Sequence, residues 1–177
     1  MNAVVAATNR FSSSQLPPCI QLSDNGLIAK YCGGAKTDYI LAVCEIPQLV
    51  FKGRLIRCSG ILFIGVCLPQ AIREPKQPPW KDSFVWLIGC GLTKLYEGGK
   101  FGPETRDHIP VGAVVSIEKQ PNEKALRFRV NGKDPVDKRT GEPFGWRPTG
   151  LSSEDFDALV GCAEFYKQNE GDAVEIV

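Results

Sequence analysis

Residues 113–132, AVVSIEKQPNEKALRFRVNG, constrain the fold more than any other part of the chain. The second arm alternates, with Leu126, Phe128 and Val130 on one face and Arg127 and Arg129 on the other. A period of two sets one face against a core and the other against water. The first arm sets Val115 and Ile117 against Ser116 and Glu118, and Asn131-Gly132 closes the segment with a tight-turn signal. This predicts a hairpin in an antiparallel sheet with one wet face. The segment holds no cluster of chemistry-bearing groups, so it speaks to architecture and not to a reaction.

The rest of the chain extends the same pattern. Short β-type runs occupy 19–23, 27–32, 39–46, 49–58, 61–68, 84–88, 159–166 and 173–177, and Asp24-Asn25-Gly26 is a turn between the first two. Glycine and proline punctuate throughout, and almost no segment keeps a helical period beyond two turns. The expected fold is all-β, a sandwich or barrel with little helix. One helical turn is expected near Phe156, where Ser152-Ser153-Glu154-Asp155 carries capping-box chemistry. Residues 69–81 and 133–150 read as long loops, and 94–101 as a shorter one turning at Gly98-Gly99. Long loops in a compact domain often carry function. A chain of 177 residues fits one domain with its own core. We expect a flexible segment over 1–18 and the sandwich over 19–177.

Composition excludes several classes. Apolar residues make up 43% and the net charge is +1, so no global field draws the chain to nucleic acid or membrane. No apolar run reaches the length of a membrane span. The seven cysteines form no C-x-x-C pair, and His108 is the only histidine, so zinc-ligand spacing is absent. Most of these cysteines lie in apolar strands, where a free thiol packs as a small hydrophobe. Reduced core thiols point to a reducing compartment, cytoplasmic or nuclear. The acid-free, Ser-rich N-terminus faintly resembles a mitochondrial transit peptide. A Cys–His nucleophile would depend on His108, in a polar connecting loop, and catalysis is not expected.

Six motifs then fall into a familiar order. Residues 60–66, GILFIGV, resemble the "(I/V)GV" strand of SPRY (B30.2-type) domains. Trp86-Leu87-Ile88-Gly89 through Lys94-Leu95-Tyr96 resembles that family's "W…(G)…Y" strand pair. Residues 111–117, VGAVVSI, resemble its next strand, and residues 126–132, LRFRVNG, are similar to its "L-x-F-x-x-N-G" motif. Residues 141–144, GEPF, resemble "G-x-A-F", and residues 158–164, ALVGCAE, the late "P-A-V-x-L" strand. The resemblance spans roughly residues 20–177. It implies a bent antiparallel β-sandwich of the concanavalin-A-like, SPRY-type jelly-roll class. It also implies a protein-interaction module that binds a partner protein or short peptide through loops at one end, as an adaptor or complex subunit. No catalytic residue or cofactor belongs to such a fold, and a monomeric domain or a subunit of a larger complex is expected.

The candidate binding residues lie mainly in two loops. Gln70, Arg73, Lys76 and Trp80 belong to 69–81, where an indole near a guanidinium is a combination enriched at binding hot spots. Trp146 and Arg147 belong to 133–150, where the indole either stacks against a partner or plugs the loop onto the sandwich. Val160 and Gly161 stand where the resemblance to SOCS-box-type adaptors places a partner-contacting Trp-Gly pair. Trp86 lies in strand alternation and is expected in the core. Two other classes stay open: a lectin-like glycan binder using an exposed indole, and an RNA-associated SPRY module using Arg127, Arg129, Lys119 and Lys124. Neither nucleic acid nor membrane is the expected partner.

Overall fold

A computed structural model describes residues 9–71, 78–79, 81–91 and 93–177. Among them the strands form two antiparallel sheets. The first has seven strands, in the spatial order β1 (Ile20–Ser23), β2 (Ile28–Tyr31), β13 (Ala173–Ile176), β4 (Val50–Arg57), β9 (Val114–Gln120), β10 (Ala125–Val130) and β11 (Trp146–Pro148). The second has six, in the order β3 (Tyr39–Pro47), β12 (Val160–Tyr166), β5 (Leu62–Cys67), β6 (Val85–Gly89), β7 (Lys94–Glu97) and β8 (Phe101–Glu104). One short helix, α1 (Ser153–Ala158), precedes β12, and its N-cap Ser152 accepts a hydrogen bond from the Asp155 amide.

The 113–132 segment folds as its alternation predicts. Phe128 pairs with Ile117 and Val130 with Val115, and Val115, Ile117, Leu126 and Phe128 are all buried between the sheets. The arms join at a 3₁₀ turn, Pro121–Glu123, with Lys124 in the left-handed region. Asn131 and Gly132, at φ +50° and +77°, then reverse the chain. Two bonds between Val130 and Lys133 close that turn, at 2.8 and 3.1 Å. Positive φ at both central residues is what a two-residue hairpin turn demands, and Asn-Gly supplies it at low cost.

The main core lies between the sheets. Phe51 and Leu55 of β4 and Val174 of β13 face Ile64 of β5, Trp86 of β6 and Phe165 of β12. Trp86 is thus a core residue, as its strand alternation predicts. A second apolar cluster covers the other face of the six-stranded sheet and includes Leu41, Phe63, Leu87, Tyr96 and Cys162. Burial on both faces explains why β5 reads LFIGVC without a polar residue. β12 carries one exception: Glu164, fully buried, opposite Leu41 on one side and Phe63 on the other.

The packed chain begins upstream of residue 19. Phe11 is 1% exposed and sits in the main core. Around it, residues 10–12 pair with β3: Ser12 N donates to Val43 O at 2.7 Å and Glu45 N to Arg10 O at 2.9 Å.

Two stretches expected as loops hold more structure. In 94–101, Glu97 and Lys100 close a two-residue turn around Gly98 and Gly99, and the flanking residues pair as β7 and β8. In 133–150, Trp146–Pro148 forms β11 beside β10. These arms are three or four residues long, too short for a period of two to stand out in the sequence.

Candidate functional site

The 133–150 segment is anchored at several points. After the Asn131-Gly132 turn, Asp134 meets Arg127 in a fork, with Nε to Oδ1 at 2.9 Å and Nη2 to Oδ2 at 2.7 Å. Arg129 Nε adds a contact to Asp134 Oδ1 at 3.5 Å and its Nη1 one to Glu118 at 3.1 Å. The hydrogen bonds from Arg127, more than any other cause, hold the Asp134 carboxyl below its usual range. Residues 136–138 then lie along the end of β8: Arg106 N donates to Val136 O and Lys138 N to Glu104 O, both at 2.8 Å. Asp137 Oδ1 accepts from the amides of Arg139 and Thr140 and so fixes the tip.

The residues that follow hold the segment on both sides. Phe144, buried in the main core, is the plug that pins this segment. Trp146 is 39% exposed, with the Arg127 guanidinium 5.7 Å from its ring centre. That is within cation–π range. Arg147 turns the other way and crosses to the second sheet, where its Nε and Nη2 donate to the two Glu97 oxygens at 2.5 and 2.8 Å. A bidentate pair of this kind is rigid as well as attractive.

The hairpin β7–β8, the Arg147–Glu97 bridge and residues 137–139 line an open groove of about 790 Å³. Its lining includes Lys94, Phe101, Glu104, Lys138 and Arg139. Phe101 is 60% exposed, on the edge strand of its sheet. The Lys94 ammonium lies 4.9 Å from its ring centre. Lys138 pairs with Glu104 at 3.2 Å. The arrangement offers an aromatic surface inside a ring of mixed charge. That suits recognition of a polypeptide, whose own side chains mix both kinds of group.

Of the expected binding residues, the structure brings Arg147 to this groove, with Trp146 next to it on β11. Gln70 is exposed in the short 3₁₀ turn Pro69–Ala71, at the base of the first loop. Arg73, Lys76 and Trp80 lie outside the described residues. Val160 and Gly161 lie inside strand β12 and offer almost no surface. Val160 joins the second apolar cluster. A Cβ on Gly161 would stand 2.2 Å from the Phe51 ring, so glycine here serves close packing of the sheets. Phe101 and Glu97 had no motif to mark them in the sequence. Their one signal was the Gly-Gly turn, which brings the two short strands together.

The comparisons with known proteins bear on the fold. No family model matches the chain, and no curated protein matches it. The solved structures do match. The SPRY domain of human HERC1 superposes with a TM-score of 0.70 at 17% identity, covering 94% of this chain and 96% of that one. A human SPRY domain gives 0.62 at 19% identity, covering 89% and 94%. The TRIM65 PSpry domain gives 0.62 at 11% identity, covering 96% and 88%. The fold is that of a SPRY domain. In this SPRY fold the groove lies at one edge of the sandwich, where β8 and β11 each end their sheet. The 3₁₀ turn Pro69–Ala71 follows β5, in the middle of the six-stranded sheet.

Proposed function

We propose that this chain is a non-catalytic, SPRY-type protein-interaction module, serving as an adaptor or complex subunit in a reducing compartment. It holds a partner protein or short peptide in the groove between β7–β8 and β11, with loop 69–81 as a second contact region. The observation that carries the reading is Phe101, a large aromatic left 60% exposed at the groove. Aromatic residues and arginine are enriched at interface centres, and Phe101 shares this groove with Arg139 and Arg147. The SPRY neighbours support the interaction class.

The test is affinity purification from the native cell with mass spectrometry, comparing the wild type with Phe101→Ala and, separately, Trp80→Ala. The expected result is a partner set that falls at least several-fold with Phe101→Ala while thermal unfolding is unchanged. Full recovery with Phe101→Ala and loss with Trp80→Ala would move the site to the first loop. Full recovery with both would remove both surfaces from the account, and saturable binding on a glycan array would replace the protein-partner reading.

A further inference from the structure

The opposite edge of the six-stranded sheet carries a second feature. β3 is its terminal strand, and residues 10–12 cover only part of that edge. The bond from Ser12 N to Val43 O shows that Val43 directs its backbone groups outward, away from β12. The bond from Lys167 N to Asp38 O shows that the even-numbered positions face β12. The register from Tyr39 to Val43 runs without a bulge. Leu41 therefore also points its N–H and C=O outward. The covering segment bends away at Ser13, where the Ser12 and Ser14 hydroxyls bond each other at 3.0 Å, and it does not reach Leu41. Among the described residues no backbone group hydrogen-bonds the Leu41 N–H or C=O.

The bend opens a cavity of about 570 Å³ beside that edge. Its lining is mostly apolar, including Leu16, Pro17, Ala35, Leu41 and Ala71, and Lys36 is the one charged residue among those described. Lys36 is exposed and joins no ion pair among the described residues. An unpaired donor and acceptor on a nearly buried residue are costly, and a strand laid alongside satisfies both.

We propose that this edge is a strand-addition site for an extended peptide segment of a partner. The segment pairs with Leu41 in line with residues 10–12, places an apolar side chain in the cavity, and sets an acidic residue against Lys36. This is the mode in which main-chain bonds provide affinity and alternate pockets provide specificity. It is separate from the Phe101 groove, since β3 and β8 are opposite edges of one sheet. Its outcome is independent of that reading.

The experiment selects phage-displayed random octapeptides on the whole chain, with counter-selection on Ala35→Phe, which fills the cavity. The expected consensus is a β-branched or aliphatic residue with an acid nearby. The Leu41 amide is expected to exchange rapidly in the unbound protein, and the synthetic consensus peptide should slow that exchange. N-methylation of the peptide amide facing Leu41 O should weaken binding about tenfold, the scale of one lost hydrogen bond. Lys36→Glu, a surface change that leaves the core untouched, should weaken the acidic peptide by a similar factor. A Leu41 amide already protected in the free protein would overturn the proposal. So would a consensus that binds equally well after N-methylation, or a selection that yields no peptide distinguishing wild type from Ala35→Phe. Self-association abolished by Ala35→Phe would put a second copy of the chain on this edge and would equally overturn the peptide reading.

Discussion

Asp172 is fully buried at the start of β13, and its Oδ1 accepts from both the amide and the hydroxyl of Ser59 at 2.7 Å. Its Oδ2 has no hydrogen-bond partner among the described residues. Burial is the largest influence on this carboxyl and raises its pKa above the ordinary 3.8, with the two Ser59 bonds acting the other way. A raised folded-state pKa means that the fold favours the protonated acid. The associated stability is complete below about pH 4 and is lost as the pH rises through the raised value. We therefore predict that wild type loses stability relative to Asp172→Asn as the pH is raised from about 4 to 7. Urea midpoints at a series of pH values measure this. A constant gap between the two proteins would mean that the Ser59 bonds cancel the effect of burial, and wild type gaining on Asp172→Asn as the pH rises would mean that they outweigh it. Asp134 has the opposite sign, since Arg127 lowers its pKa, and what it contributes is lost as the pH falls.

At the scale of elements, the segment 9–12 does more than its composition suggests. RFSSSQLPP reads as polar chain, yet Phe11 fills the core between the sheets and its backbone pairs with Cys44. Phe11→Ala should cost about 3–5 kcal/mol, the usual range for a buried phenylalanine. Leu49→Ala, at 63% exposed on the β3–β4 turn, should change stability by no more than about 0.5 kcal/mol. Denaturant unfolding of both variants checks the contrast, and a small effect at Phe11 would detach this segment from the cooperative unit. The difference also shows what sequence patterning can and cannot reveal. β9 and β10 were legible because four buried positions alternate in register with polar ones. β5 was legible because its run is continuously apolar. Phe11 was not, because a single aromatic in a polar stretch has no period. Arg147 was legible only as a residue type, because its partner Glu97 is fifty residues away and on the other sheet.

Across the whole molecule, the two-faced burial of the six-stranded sheet decides the chemistry of the cysteines. All seven are free thiols, and Cys44, Cys67, Cys90 and Cys162 are buried. Burial pushes the thiols of Cys44, Cys90 and Cys162 well above their ordinary value, which leaves almost no thiolate to react. Cys32, just after β2, is exposed; Cys19 and Cys58 are half-buried. The Cys58 thiol faces Gly60 O at 3.5 Å, and its pKa is also raised by burial. Titration of the native protein with a disulfide reagent such as Ellman's should therefore show a fast phase that Cys32→Ser removes. The four buried thiols should react only on unfolding, at the rate of global opening. If they reacted in the native state faster than the protein unfolds, the six-stranded sheet would be opening on one face. The second apolar cluster would then be a loosely held layer, not part of the cooperative core.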